Sequence, residues 1–158
     1  MKACYPGTFD PITKGHLDII IRAASIFDEV VVLIMNNPRK KCVFSVEERK
    51  EMIERCINIP NVKVKIGEGL TVEYAKKINA KVIIRGIRAV SDYEYELQQA
   101  TANLMLDENI ETLFFIAKPK YSFLSSSVVK EIAENGGDIS LLVPEEIANI
   151  IVDKLTNN

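Results

Sequence analysis

The sequence predicts an α/β protein: one domain with a five-stranded parallel sheet and helices on both of its faces. Two observations support this fold class. Short runs rich in β-branched residues alternate along the chain with segments of helical periodicity, which is the order expected when helices cross over between parallel strands. The 158 residues, 47% apolar and 27% charged, have the size and composition of one globular domain with its own core. We therefore expect a single domain over residues 1–158.

Five apolar, β-branched runs predict the strands. The run EVVVLIM lies in the second of them. The predicted strands are Lys2–Tyr5, Asp28–Met35, Asn61–Ile66, Lys81–Ile84 and Thr112–Ala117.

Six segments predict helices. Two of them begin with capping boxes, in which a serine is followed three residues later by a glutamate, at Ser45–Glu48 and Ser91–Glu94. Pro144 suits the first turn of the last helix, and Gly136-Gly137 indicates the end of a helix rather than a domain boundary. The predicted helices are about Lys14–Phe27, Val46–Ile57, Val72–Asn79, Asp92–Asp107, Ser126–Glu134 and Pro144–Leu155.

The charge balance excludes two classes of protein. Twenty basic and 22 acidic residues give a net charge of -2. A protein that coats nucleic acid or binds an acidic membrane needs a strong basic excess, so any basic cluster here must be local.

The cysteines and the apolar segments predict a cytoplasmic protein. Cys4, Cys42 and Cys56 are odd in number and lack metal-ligand spacing, which favours buried, reduced thiols over a disulfide or a metal site. No apolar run approaches the roughly 18 residues of a membrane helix. The first strand follows Met1 directly, without the regions of a signal peptide.

The turn after the first strand has the composition of a phosphate site. Gly7 and Gly15 let the backbone approach a ligand, and the helix starting near Lys14 offers free N–H groups and the positive end of its dipole. Thr8 and His16, the only histidine, add side-chain donors. The alternative is a plain connection that binds nothing. The spacing matches neither the dinucleotide-binding glycine motif nor a Walker A loop.

Basic residues follow strands two, four and five. Ligands bind open parallel sheets beyond the carboxyl ends of the strands, so we expect these clusters to meet Thr8 and His16. A basic loop is often only solvated, and this alternative weighs most for the first cluster. The two arginines of the second can bind phosphate oxygens bidentately, and the serines of the third form either a simple N-cap or an anion site. The clusters are Arg39-Lys40-Lys41, Arg85-Gly86-Ile87-Arg88, and Lys118-Pro119-Lys120 with Ser122 and Ser125-Ser126-Ser127.

Two of these segments resemble the signature of the nucleotidyltransferase superfamily, a T/H-x-G-H loop paired with a later S-S-[ST] loop. Here the segments are Gly7–His16, which ends in Thr13-Lys14-Gly15-His16, and Tyr121–Ser127. With Ile84–Glu96 between them, essentially the whole chain closely resembles the bacterial phosphopantetheine adenylyltransferases. The resemblance implies a Rossmann-like fold.

The same resemblance implies a reaction. The AMP moiety of ATP would be transferred to 4′-phosphopantetheine, giving dephospho-coenzyme A and pyrophosphate, with Mg²⁺ accompanying the nucleotide and no covalent enzyme intermediate. A phosphate monoester with a second pKa of about 6 is already ionised at neutral pH, so positioning and charge stabilisation are the protein's tasks. His16 is then a donor to the transition state rather than a base. A homohexamer and feedback binding of coenzyme A are also implied.

Site residues follow from the matching positions. His16, Lys40, Arg88 and Thr8 are expected to be catalytic: Thr8 and Lys40 contact the acceptor phosphate and the α-phosphate, and Arg88 contacts the nucleotide. Arg85 is expected to hold the pantetheine phosphate. The ATP positions are Thr8, Phe9, His16, Gly86, Ile87, Arg88, Glu96 (to a sugar or base edge), Tyr121, Ser122, Phe123, Leu124, and Ser125, Ser126 and Ser127 (to the β,γ-phosphates), and further acceptor positions are Leu70, Thr71 and Asn103.

Two departures and two alternatives accompany this interpretation. Thr13 stands at the first position of the T/H-x-G-H motif, and Lys130 stands where many superfamily relatives keep arginine, so a bidentate clamp is not assumed there. A related enzyme could use another acceptor, nicotinate mononucleotide or a glycerol phosphate. A non-catalytic ATP sensor on the same scaffold is the second alternative. The basic, aperiodic loop 36–44 is a candidate lid.

Overall fold

The computed structural model describes residues 1–157 and contains a five-stranded sheet in which every neighbouring pair is parallel. The spatial order is β3-β2-β1-β4-β5, so the chain builds outward from β1 in one direction and then in the other. This topology confirms the predicted fold class. The strands are β1 (Lys2–Gly7), β2 (Glu29–Met35), β3 (Val62–Gly67), β4 (Val82–Ile87) and β5 (Glu111–Ile116).

Helices connect the strands and cover both faces of the sheet. The larger core contains side chains of α1, α2, α5 and α6, with Tyr5 and Phe44 among its buried residues. The smaller core on the other face joins Cys4, Val31 and Ile83 to α3, and α4 packs against β4, β5 and α3. The helices are α1 (Lys14–Ala24), α2 (Val46–Cys56), α3 (Thr71–Lys77), α4 (Val90–Leu106), α5 (Ser126–Glu134) and α6 (Glu145–Thr156), and a short 3-10 turn spans Pro119–Tyr121.

Most element boundaries differ by a few residues from the prediction, and three of the differences change the interpretation of the site or of a helix start. β4 continues to Ile87, so Arg85 and Gly86 belong to the strand and not to the loop after it. α4 begins at Val90 with Ala89 as its N-cap, so the capping box predicted at Ser91 does not form. Pro144 is the N-cap of α6 rather than its first helical residue.

The three cysteines are free thiols. Cys4 is fully buried, and burial raises its pKa to about 12, which keeps this thiol protonated and unreactive. Cys42 and Cys56 are only partly buried. Between residues 1 and 157, no helix is both long enough and apolar enough to cross a membrane.

The two edges of the sheet have different surfaces. β3 exposes Lys63 and Lys65, whereas β5 exposes Leu113 at 44% and Ile116 at 64%. α4, which packs beside β5, adds further exposed apolar side chains. These are Val90, Tyr93, Tyr95, Leu97, Leu104, Met105 and Leu106.

Candidate active site

A cavity of about 350 Å³ lies at the carboxyl ends of β1, β4 and β5. The turn after β1, the loop after β2, the end of β4 and the loop before α5 all contribute to its lining. The structure thus brings together Thr8, His16, Lys40, Arg85 and Arg88, which are far apart in the sequence. The two arginines and the imidazole lie on the same side of the molecule.

His16 is held by the N-terminal cap of α1. The Thr13 side chain accepts a hydrogen bond from the His16 backbone N–H at 3.3 Å, and the Thr13 backbone N–H donates to His16 Nδ1 at 3.0 Å. This is a capping box with histidine in the place of the usual glutamate or glutamine. Because Nδ1 accepts, the proton of the neutral ring resides on Nε2, which is therefore a hydrogen-bond donor.

The environment of His16 keeps its ring neutral. Burial, followed by the positive charges of Arg88 and Arg85, lowers the pKa of His16 from 6.5 to about 4. At neutral pH the imidazole can therefore donate a hydrogen bond without carrying a charge.

Phe9 lines the cavity and packs against His16. Its ring packs edge to face on Tyr5, with centroids 5.4 Å apart, and on the His16 imidazole at 5.0 Å. Phe9 has a left-handed backbone conformation with φ of 51°. Gly7 is needed for this packing, because a Cβ at that position would lie 2.9 Å from the Phe9 ring.

Arg85 and Glu96 form a bidentate ion pair. Arg85 Nε and Nη2 donate to the two carboxylate oxygens of Glu96 at 2.6 and 2.8 Å, and Nη1 donates to the Pro6 carbonyl at 3.1 Å. Although burial acts in the opposite direction, the pairing with Glu96 raises the pKa of Arg85. A guanidinium has five N–H bonds, so two remain for a ligand.

Arg88 joins the start of α4 to the loop before α5. Its side chain pairs with Asp92, with Nε 3.1 Å from the carboxylate, and its Nη1 donates to the Leu124 carbonyl at 2.9 Å. Burial alone would raise the pKa of Asp92, but hydrogen bonds from Arg88 hold it below its usual range. Two segments of the cavity rim are therefore fixed relative to each other.

Lys40 reaches across from the loop after β2. Its Nζ donates to Thr8 Oγ1 at 3.3 Å. The loop is bound to β3 at its start, where the Asn36 N–H donates to the Gly67 carbonyl at 2.9 Å. Lys40 thus lies on an exposed loop and contacts the turn after β1 through its side chain.

The three serines surround the N-terminus of α5. Ser125 is the N-cap and its side chain accepts from the Val128 N–H at 3.2 Å. Ser126 Oγ donates to the Pro11 carbonyl at 2.7 Å, which ties this loop to the turn after β1. Ser127 is exposed at the cavity. The free N–H groups of the first turn of α5 and the positive end of its dipole face the same cavity.

The cavity lining separates the residues predicted for the site into two groups. The residues that line it are Thr8, Phe9, His16, Lys40, Arg85, Gly86, Arg88, Glu96, Tyr121, Leu124, Ser125, Ser126 and Ser127. The residues that lie outside its lining are Leu70, Thr71, Ile87, Asn103, Ser122 and Phe123.

Further lining residues were not singled out as site residues from the sequence. Asp10 and Lys130 form an ion pair of 3.0 Å, and Tyr5 and Asp92 also line the cavity. Thr13 lines the cavity too, as the N-cap of α1. Its role has a signal in the sequence, because a threonine three positions before His16 has the spacing of a capping box. The positions of Asp10, Lys130, Tyr5 and Asp92 at the cavity depend on tertiary packing.

The lining is electropositive. Five cationic side chains face three carboxylates, and each carboxylate is engaged in an ion pair: Asp10 with Lys130, Glu96 with Arg85, and Asp92 with Arg88. Over residues 1–157 no three His, Cys, Asp or Glu side chains are grouped to hold a metal ion. The arrangement suits a ligand with several phosphate groups.

Comparison with known proteins identifies the family. Residues 4–132 match the model of the cytidylyltransferase-like family. The chain is 53% identical over 156 residues to a Thermotoga neapolitana protein named phosphopantetheine adenylyltransferase, covering 98% of this chain and 97% of the relative. Two further relatives have the same name. The one from Lachnoclostridium phytofermentans is 55% identical to this chain, with 95% of this chain and 93% of the relative covered. The one from Dictyoglomus thermophilum is 54% identical, with 98% of this chain and 94% of the relative covered. The chain therefore belongs to the cytidylyltransferase-like family and, within it, to the phosphopantetheine adenylyltransferases.

Proposed function

We propose that this chain transfers the adenylyl group of ATP to 4′-phosphopantetheine, giving dephospho-coenzyme A and pyrophosphate, as a step in coenzyme A synthesis. The observation that carries the proposal is the grouping of a neutral histidine donor, a Lys40–Thr8 contact and two arginines around one cavity. Those groups match two phosphorylated substrates that must meet in line. The relatives described above carry the name of this activity.

In the proposed reaction an ionised phosphate oxygen of the acceptor attacks the α-phosphorus of ATP. The new P–O bond forms as the bond to the β-phosphate oxygen breaks, and pyrophosphate leaves with that electron pair. No protein base is needed because the attacking phosphate is already ionised at neutral pH. His16 Nε2–H and the Lys40 ammonium stabilise the charge that builds up on the α-phosphate oxygens.

The two substrates divide the remaining cations and donors. We assign the acceptor phosphate to the two free N–H bonds of Arg85 and to Thr8. Arg88, Ser125–Ser127 and the N-terminus of α5 receive the β,γ-phosphates. The other predicted nucleotide positions are Phe9, Gly86, Ile87, Glu96, Tyr121, Ser122, Phe123 and Leu124.

The acceptor carries a long arm, and the three remaining predicted positions lie outside the cavity lining. Leu70 and Thr71 follow the carboxyl end of β3, and the cavity also lies at the carboxyl ends of its strands. Asn103 lies two turns further along α4 than Glu96. We keep these three as the contacts proposed for the pantetheine arm.

Mg²⁺ belongs to the nucleotide substrate in this proposal. The carboxylates at the cavity are engaged in ion pairs, whereas a nucleotide triphosphate brings its own hard oxygen ligands. Mg²⁺ in phosphoryl-transfer sites is commonly held by substrate phosphates and waters, with few protein ligands.

The test of this function is a coupled pyrophosphate-release assay with ATP and each acceptor in turn. We expect pyrophosphate release with 4′-phosphopantetheine, and we expect mass spectrometry to detect dephospho-coenzyme A as the product. Release only with nicotinate mononucleotide or a glycerol phosphate would reassign the acceptor. ATP binding without pyrophosphate release in the presence of any of these acceptors would favour a nucleotide sensor.

We further propose that the protein acts in the cytoplasm as a homohexamer of single-domain chains and binds coenzyme A as a feedback ligand. Free cysteines are typical of a reducing compartment. The exposed apolar side chains of α4 and β5 supply a surface for contact between copies. Light scattering coupled to size exclusion measures the assembly, and calorimetric titration with coenzyme A measures the feedback site.

A further inference from the structure

Arg49 of α2 is a buried cation with no role in the mechanism above. It is only 3% exposed, and its donors reach backbone carbonyls alone: Nη1 to Thr8 at 2.8 Å, and Nε to Phe44 and Ser45 at 3.2 and 3.3 Å. In the part of the chain that the structure describes, no carboxylate pairs with it. Burying a guanidinium among neutral acceptors is costly, so an apolar side chain would serve simple packing better.

Asp10 binds the same short segment, residues 43–45, through other backbone groups. It is also 3% exposed, and its carboxylate accepts from the N–H groups of Val43 and Phe44 at 3.0 and 2.9 Å. Its third contact is the Lys130 ammonium of α5 at 3.0 Å. Asp10 therefore accepts from the N–H groups of residues 43 and 44, while Arg49 donates to the carbonyls of residues 44 and 45.

These contacts connect the turn after β1 to the end of the Lys40 loop. Thr8 and Asp10 lie in that turn, and the segment 43–45 lies just beyond Lys40 in the chain. The start of the loop is bound to Gly67 through Asn36. The residues between 36 and 43 are therefore fixed at both ends, and the end nearest to Lys40 is fixed by two buried charges.

We propose that Arg49 is a positioning residue, which acts with Asp10 to hold the base of the Lys40 loop at a set distance from Thr8. This inference rests on the proposed function, because the role of Arg49 would be to place the Lys40 ammonium, 3.3 Å from Thr8 Oγ1, at the α-phosphate of the transferred adenylyl group. A displacement of about 1 Å can cost about 10²-fold in rate when positioning is the source of catalysis.

A double-mutant cycle tests the proposal. Arg49→Met is expected to lower kcat by about 10²-fold with little change in the KM for ATP. In the Lys40→Ala background the same substitution should change kcat by less than about threefold, because the group it positions is gone. Multiplicative losses in the double variant would overturn the proposal, since a general loss of structure is independent of Lys40.

Two further variants serve as controls. Arg55→Met removes an exposed arginine of the same helix that pairs with Glu51, and kcat should stay within about twofold of wild type. Arg49→Lys keeps the charge but replaces the planar guanidinium with a single ammonium group, so it should recover part of the lost rate and remains usable if Arg49→Met fails to fold.

A readout without substrates separates this proposal from the proposed function. Hydrogen exchange of the amides at Val43 and Phe44 should accelerate in Arg49→Met and in Arg49→Lys, and should be unchanged in Arg55→Met. If wild-type protein releases no pyrophosphate when ATP and 4′-phosphopantetheine are supplied, the proposed function fails. The exchange result still decides whether Arg49 holds the base of the Lys40 loop. Unchanged exchange in both Arg49 variants would refute that positioning role even in an active enzyme.

Discussion

The backbone N–H of Thr13 donates to Nδ1 of His16 over 3.0 Å, and this contact decides which nitrogen of the imidazole carries the proton. With Nδ1 accepting, Nε2–H is free to donate into the cavity. The pKa of about 4 keeps the ring neutral at neutral pH. The fold therefore supplies an uncharged donor in a place where a charged one would also attract phosphate in the ground state.

Replacement of His16 should affect turnover far more than nucleotide binding. We expect His16→Ala and His16→Gln to lower kcat by about 10²–10³-fold, the loss typical for one transition-state donor. Glutamine is a normal third residue of a capping box, so His16→Gln should keep the start of α1 intact, whereas His16→Ala should lose about 1 kcal/mol of stability. Steady-state kinetics and ATP titration measure the two effects. A variant with wild-type kcat would exclude His16 from the reaction.

The pKa of His16 predicts a specific dependence of stability on pH. The folded value of about 4 lies below the ordinary value of 6.5, so the unfolded chain binds more protons between these pH values. The free energy of unfolding should therefore fall as pH is lowered from about 7.5 towards 4, by at most about 1.4 kcal/mol per pH unit, and His16 should contribute almost no slope above about 7.5, where the unfolded side chain is neutral too. His16→Gln should lack this contribution. Denaturant titrations of both proteins at several pH values measure the difference, and NMR of the single histidine reports its titration directly.

Arg85 should act on the acceptor rather than on the nucleotide. Arg85→Ala is expected to raise the KM for 4′-phosphopantetheine strongly, because a phosphate contact present before and during reaction is lost. It should also destabilise the protein, since Glu96 loses its partner. Arg85→Lys keeps a charge near Glu96 but not the fork, so it separates these effects. If only the affinity for ATP falls, Arg85 belongs to the nucleotide.

Gly7→Ala tests the packing under His16. The new Cβ would lie 2.9 Å from the Phe9 ring, which is itself confined by Tyr5 and His16, so we expect a loss of about 1–3 kcal/mol in the free energy of unfolding and a lower kcat. Gly15→Ala is the matched control for stability, because its Cβ would meet its nearest neighbour at an ordinary 3.5 Å and lies in a helix. Equal stabilities of the two variants would contradict the role given to Gly7.

The loop 36–44 should respond to nucleotide. Its side chains are largely exposed from Asn37 to Lys41, while its two ends are bound to neighbouring elements. We expect ATP to slow hydrogen exchange at residues 37–42 through new contacts with Lys40 and Lys41. Identical exchange with and without ATP would remove the lid hypothesis. Asn36 and Phe44 serve as internal references, since their N–H groups already donate to Gly67 and Asp10 in the structure.

The elements could be predicted from the sequence because each has a strong local signal, but their boundaries depend on tertiary contacts. β4 extends to Ile87 because Arg85 and Gly86 pair with Phe114 and Phe115 of β5. The prediction of a capping box at Ser91 was wrong, because α4 starts earlier, at Val90. The Asp92 side chain accepts from the Arg88 N–H and so supports this earlier start. Conversely, the true capping box of α1 was missed because its third residue is histidine.

The chemistry of the site was predicted from residue types, whereas its internal pairing was not. Loops that follow parallel strands all lie at the carboxyl ends of the strands, so the topology brings their basic residues together. The partner of each cation is set by packing: Arg85 pairs with Glu96, and Lys130 pairs with Asp10, 120 residues away. Glu96 was predicted to contact a sugar or base, and in the structure its carboxylate binds Arg85.

The unlike edges of the sheet bear on the proposed association between copies of this protein. Lysines on β3 oppose the addition of a foreign strand, as charges on outer strands generally do. On the β5 side, Leu113 and Ile116 remain open to contact, next to the apolar row of α4. We therefore expect the proposed assembly to use the β5 side for contact, so a charge introduced at Ile116 should weaken it where one at β3 would not, as light scattering would show.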